Sequence, residues 1–189
     1  MLNRSFFLRD TRTVARELLG KLLVHRTTEG VLSGMVVETE AYFGPEDPAS
    51  RAKKRTRVSE PMWQQGGHTL VYMVHANWLL NITSDKREIP GAVLIRALEP
   101  LEGVDLMKER RGMSDIRKLA SGPGKLTQSM EITGEYHGVD LMNQNTLQVI
   151  EGKSEDEEFE IGRSHRIGVT EDLKEELRFF IVGNKFVSR

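Results

Sequence analysis

Glu38, Glu40 and Tyr42 alternate along the segment Val37-Glu38-Thr39-Glu40-Ala41-Tyr42. Successive side chains of a β-strand point to opposite faces, so these three would share one side and Val37, Thr39 and Ala41 the other. Two carboxylates beside a phenol admit two readings. One is a solvent-facing strand edge with an alternating polar pattern. The other is a carboxylate placed to activate water, with an aromatic platform next to it. The spacing alone does not choose between them. A second feature is a basic run in which Arg51, Lys53, Lys54, Arg55 and Arg57 fall within seven residues. Such a run is a solvated face unless chemistry lies beside it.

Other chemistries find less support. Cysteine is absent, which excludes disulfides, a thiolate nucleophile and cysteine-ligated metal. The five histidines, His25, His68, His75, His137 and His165, show no H-E-x-x-H pattern and no paired metal spacing. Gly122-Pro123-Gly124-Lys125 has the look of a phosphate loop, but Leu119 stands where its first glycine belongs and Leu126 where its Ser or Thr belongs. No G-x-S-x-G elbow supports a serine triad. The net charge of −1 does not announce a nucleic-acid binder.

The elements that must position these residues follow from local pattern. Asp10 reads as the N-cap of a helix whose apolar stripe is Val14, Leu18 and Leu19, closed by Gly20. Residues 21–26 and 31–42 read as strands joined by a turn at Glu29-Gly30. The polar stretch from Gly44 to Gly67 is longer than most loops, and loops of that length tend to be functional. Residues 70–74 and 79–83 form a hairpin with His75-Ala76-Asn77-Trp78 near its tip, and 92–98 form a further strand. Helices are expected over 100–111, from the spacing of Leu101, Val104 and Met107, and over 123–131. Strand-like segments resume at 146–150, 159–163 and 177–182, with Ser154 to Glu158 as an exposed connection. The fold class expected is mixed α/β (α+β). A chain of 189 residues forms one domain over 1–189, a largely antiparallel sheet with helices to one side. No apolar run approaches the roughly 20 residues of a membrane span, and early charges set the amino terminus apart from a signal peptide. A cytoplasmic protein is expected.

The segment from Val36 to Asp47 resembles the signature of the alkyladenine (3-methyladenine/hypoxanthine) DNA glycosylases. Four more blocks resemble that family in the same order: Gly67 to Tyr72 leading to Asn81-Ile82, Ala92 to Gly103, Ser121 to Leu126, and Leu177-Arg178-Phe179-Phe180. The likeness runs from Leu8 to Ser188. It implies a curved sheet with a protruding hairpin, and a monomeric, monofunctional enzyme of base excision repair that uses no metal or organic cofactor. The partner implied is double-stranded DNA containing damaged purines, with the enzyme nucleoid-associated in a prokaryotic host. A damaged nucleotide would be flipped out of the duplex and its N-glycosidic bond hydrolysed. Two alternatives stay open: a protein that binds DNA damage with little excision, and a hydrolase of free nucleosides.

The resemblance also implies roles. Glu40 becomes the general base that deprotonates water and stabilises an oxocarbenium-like transition state. Arg96 holds that water and Glu40, or else serves as a structural ion pair, and Glu38 supports them. Tyr42 and Tyr72 sandwich the flipped base, and Asn81 stands against the purine edge and disfavours guanine. Two positions depart from the family. Arg51 follows Pro48-Ala49-Ser50 where a base-contacting histidine is usual, and a permanent cation there would tilt preference from 3-methyladenine towards neutral hypoxanthine or etheno-adenine. His75 stands where an aromatic minor-groove wedge is usual, with Trp78 as the alternative wedge. Lys53, Lys54, Arg55 and Lys125, with Arg166 as a further candidate, would contact DNA phosphates.

Overall fold

The structure, a computed structural model, describes residues 1–152 and 159–188. The connection expected at Ser154 to Glu158 lies outside the described residues. Among the described residues eight strands form one antiparallel sheet: β1 (Leu22–Arg26), β2 (Val31–Tyr42), β3 (Thr69–Val74), β4 (Asn77–Ser84), β5 (Gly91–Glu102), β6 (Leu147–Ile150), β7 (Ile161–Ser164) and β8 (Arg178–Ile181). Across the sheet the order is β3-β4-β5-β2-β1-β6, and β8 joins β2 with β7 beyond it. β2 is therefore central. Its first half pairs with β1 and its second half with β8, while β5 runs along its other side. The mixed α/β class expected from the sequence is the one observed.

Four helices accompany the sheet among the described residues: α1 (Arg4–Phe7), α2 (Thr11–Glu17), α3 (Val104–Arg111) and α4 (Pro123–Met130). Asp10 caps α2 as expected, accepting hydrogen bonds from the backbone N–H groups of Arg12 and Thr13. Val14, Ala15 and Leu18 then bury themselves in the core, and the Thr39 hydroxyl donates to the Ala15 carbonyl at 2.8 Å. From α4, Leu126 and Met130 are fully buried in the same core with Leu80, Ile82, Val93 and Ile95. One expectation fails. The helix read from Pro100 begins at Val104, because Pro100, Leu101 and Glu102 complete β5 opposite Ser33 and Gly34 of β2. Helical spacing was present there, but the strand partner wins, and Gly103 turns the chain at φ 71°.

Pairing register decides which side chains meet. Tyr42 and Glu40 lie opposite Ala92 and Leu94, Leu94 opposite Asn81, Asn81 opposite Leu70, and Tyr72 opposite Leu79. Paired residues point to the same face, so Glu40, Tyr42, Asn81 and Tyr72 share one side of the sheet. The register also skips Val37 on β2 and Arg96 on β5, so both strands bulge where the carboxylates sit. Bulges re-aim side chains, and this one turns Arg96 onto Glu38 and Glu40.

Candidate active site

Glu38 and Glu40 are wholly buried, which removes the solvent-facing edge as a reading of their alternation. A buried carboxylate must be met by donors. For Glu40, Oε1 accepts from the Ile167 backbone N–H at 2.7 Å and lies 3.1 Å from an Arg96 terminal nitrogen. Its Oε2 accepts from the Tyr42 hydroxyl at 2.7 Å. Burial pushes the Glu40 carboxyl above the usual glutamate range, against the opposing pull of Arg96, the Ile167 N–H and the Tyr42 hydroxyl. Glu40 does not itself line the open cleft, but Tyr42, Arg96 and Ile167, which touch it, do. A raised carboxyl is a stronger proton acceptor than an ordinary one. Burial also raises the Tyr42 phenol, as does the Glu40 charge beside it, so Tyr42 is a hydrogen-bond donor and not an acid.

Glu38 is the hub beneath. Its Oε1 accepts from Arg96 Nε at 2.8 Å, Arg178 Nε at 2.7 Å and the Ser188 hydroxyl at 2.9 Å. Its Oε2 accepts from the Ser188 backbone N–H at 2.7 Å. Two carboxylates and two guanidinium groups thus form a balanced buried cluster. Behind Tyr42 stands Arg166, its guanidinium carbon 4.5 Å from the ring centroid. Arg166 bonds Asp47 through both terminal nitrogens at 2.7 and 2.8 Å, Asp172 through Nε at 2.8 Å, and the Ala41 carbonyl at 3.0 Å. Burial would raise Asp47, but hydrogen bonds from Arg166, Phe43 and Ala49 together hold it below the ordinary aspartate range. Arg166 is accordingly a buried brace beneath the site, not a phosphate contact; its side chain is closed to solvent.

Tyr42, Arg51, Tyr72, Arg96, Lys125 and Ser188 all line one open cleft of about 1390 Å³. That exceeds the roughly 300–1,000 Å³ usual for a small-molecule pocket. Arg51 lies over the Tyr72 ring, 4.6 Å from its centroid. Lys53 and Lys54 stand on one rim with Arg51, and Lys125 on the other at the start of α4. Arg55 is drawn away from them, paired with Glu60 and Glu88 and lying over Trp63. Asn81 is buried on the site face without lining the cleft, and its amide donates to the Leu70 carbonyl at 3.1 Å.

At the hairpin tip His75 and Ala76 take φ of 46° and 61°, a two-residue turn of the primed type between the paired Val74 and Asn77. Left-handed backbone at two non-glycine residues is strained, and it leaves the His75 side chain exposed beside the cleft. Trp78 is different. It packs against the core and touches Gly134, so the alternative wedge is a structural side chain here.

Arg178, Ser188, Asp47, Asp172 and the Ile167 N–H were not read as site groups from the sequence. Arg178 sits inside a recognised block, but nothing in its spacing says that it meets Glu38 across β8 and β2. A backbone donor leaves no residue-type signal at all. Among the described residues no cluster of three or more His, Asp or Glu side chains is arranged to hold a metal ion, and no helix is long and apolar enough to cross a membrane.

A buried, basic carboxylate under a cleft with aromatic walls and a cationic rim suits hydrolysis of an aromatic group attached to a polyanion. Comparison with known proteins agrees in kind. Residues 5–185 match the family described as methylpurine-DNA glycosylase. A protein of Clostridium acetobutylicum is 41% identical over 99% of this chain and 97% of its own length. One of Chlorobium phaeobacteroides is 40% identical over 98% and 95%, and one of the archaeon Aeropyrum pernix 40% over 100% and 93%. All three are provisionally named 3-methyladenine DNA glycosylases. The chain belongs to the methylpurine-DNA glycosylase family. It is a DNA glycosylase, a hydrolase of N-glycosyl bonds whose substrate is DNA.

Proposed function

We propose that the enzyme removes damaged purines from duplex DNA through water activated by Glu40. The damaged nucleotide leaves the stack and its base enters between Tyr42 and Tyr72. Stacking of this kind is worth roughly 1–3 kcal/mol per base and tolerates different ring systems. Glu40 takes a proton from a water held against Arg96 as the water oxygen bonds to the sugar carbon. The electron pair of the glycosidic bond departs with the purine, leaving an abasic site. The carboxylate charge also stabilises the developing oxocarbenium character. The single observation that carries this reading is the buried Glu40–Arg96 contact, directly behind the Arg96 side chain that lines the cleft with Tyr42 and Tyr72. The family motif implies no Schiff-base lysine, so the enzyme would act as a monofunctional glycosylase.

The lesion range proposed is hypoxanthine, etheno-adenine and 3-methyladenine, with the neutral bases favoured. The support is the Arg51 guanidinium stacked on Tyr72, a fixed positive charge at the base-stacking wall. Single-turnover base release from duplexes bearing each lesion, with wild type and Glu40→Gln, tests the reading. Release lost in the variant while binding is retained supports it. Binding without release in both proteins would replace it with a damage binder, and failure to bind with a free-nucleoside hydrolase. Arg51→His tests the lesion range: it should raise the relative rate on 3-methyladenine, and a wild type that already prefers that cation refutes the role of Arg51.

A further inference from the structure

We propose that the Tyr42 hydroxyl is a positioning group for the reaction: through its 2.7 Å bond to Glu40 Oε2, the side chain that presents a ring to the base also aims and polarises the general base. The inference rests on the glycosylase reading and adds to it a link between recognition and chemistry. Three observations carry it. The ring is fixed from behind by Arg166, which itself is anchored to Asp47, Asp172 and the Ala41 carbonyl, so the hydroxyl has one direction to point. A guanidinium over the ring draws electron density from the phenol and makes its O–H a stronger donor. The other carboxylate oxygen is already engaged by the Ile167 N–H and Arg96, so Tyr42 alone governs Oε2 among the described residues.

The charged and titratable groups around Glu40 come from every neighbouring element. Glu38 and Tyr42 lie on β2 itself, Arg96 on β5, and Arg178 opposite Glu40 on β8. Arg166 braces Tyr42 from the loop after β7, and Tyr72 faces Tyr42 from β3. Of these, the Tyr42 hydroxyl can be removed while the ring stays. Burial favours the protonated form of Glu40, and the Tyr42 hydrogen bond opposes it. Tyr42→Phe therefore makes Glu40 hold its proton to higher pH. Hydrogen bonds to charged groups are strong enough for the effect to be large.

The test is the pH profile of single-turnover release from a hypoxanthine duplex, wild type against Tyr42→Phe. At the acidic end the variant should be slower by about tenfold or more, and the deficit should shrink as pH rises, leaving on the alkaline plateau only the part due to the lost aim of Glu40. Affinity for the damaged duplex should be retained, because the ring remains. A drop of equal size at every pH overturns the inference, since that is the signature of lost stacking or packing. A second measurement needs no turnover: the carbon NMR titration of the Glu40 carboxyl in the free protein. Its midpoint should move to higher pH in Tyr42→Phe, and an unmoved midpoint overturns the inference even where base release is intact. If wild type releases no base, the glycosylase reading fails, and the NMR titration still decides the hydrogen bond's role.

Discussion

Glu38 and Glu40 sit two residues apart on one strand, both wholly buried and both touching Arg96, yet their neutral isosteres should differ sharply in their effect on stability. Glu38 accepts four hydrogen bonds, three on Oε1 and one on Oε2. Every neighbour is a donor, so the amide nitrogen of Glu38→Gln must face a donor whichever way it flips. Arg178 fares worst. Among the described residues its other partners are the Ser164 hydroxyl, the Ser188 carbonyl and the Phe180 ring, none of which carries charge. Stranding one member of a buried ion pair costs about 3–5 kcal/mol. At roughly 2–4 °C per kcal/mol for a chain of this size, the melting temperature should fall by about 6–20 °C.

Glu40→Gln should differ, because its surroundings can accept an amide. The Gln carbonyl keeps the Ile167 N–H and the Arg96 contact, and the amide nitrogen donates to the Tyr42 oxygen once that hydroxyl rotates. Arg96 keeps its direct bond to Glu38. The pH dependence gives the sign. Burial leaves the Glu40 carboxyl titrating above the ordinary range, so the folded state binds that proton more tightly than the unfolded chain. Wild type is therefore penalised as pH rises through the folded titration, and the penalty is absent below the ordinary glutamate range. Glu40→Gln removes it, so the variant should match wild type in acid and equal or exceed it at neutral pH, as groups kept for function often cost stability. Urea denaturation of the three proteins at pH 4 and pH 8 measures this. The reasoning is refuted if Glu40→Gln loses as much as Glu38→Gln at pH 8, or if Glu38→Gln is silent.

Arg166→Met should leave buried Asp47 without its partner and cost about 3–5 kcal/mol, read as a lower urea midpoint. In wild type the Asp47 contribution is present above the ordinary aspartate range and is lost as pH falls through its depressed titration, so the variant's deficit should shrink in strong acid. Lys53→Gln, Lys54→Gln and Lys125→Gln should each lower the salt dependence of duplex binding by about 0.9 in the log–log slope, measured by fluorescence anisotropy. Arg55→Gln should leave that slope unchanged, because Glu60 and Glu88 already occupy its guanidinium. His75→Ala should reduce the fluorescence rise of a base analogue paired opposite the lesion, whereas full retention would remove His75 as the wedge.

Much of the frame was legible in the chain itself. The Asp10 cap, the alternation through Glu38 and Tyr42, and the hairpin around His75 each depend on neighbours within a few residues and each predicts its element, although β4 begins at Asn77, two residues before the strand start read from the sequence. The order of the recognised blocks likewise indicates the family before any contact is known. Long-range pairing decided the rest. Pro100 to Glu102 carry a helical spacing but extend β5, since the backbone bonds offered by β2 outweigh a local preference. The alternation of Glu38 and Glu40 fits a wet edge as well as a buried floor, and only the placement of β2 between β5 and β8 buries them. The bulge that turns Arg96 onto both carboxylates exists in the register of two strands and in neither alone. Arg55 and Arg166 show the same limit for charge: a basic run and a lone arginine look alike as residues, and their partners lie 5 to 125 positions away. Sequence determines which groups are available for chemistry; which of them face donors, solvent or each other is an energy shared across the fold, and only the folded chain sets it.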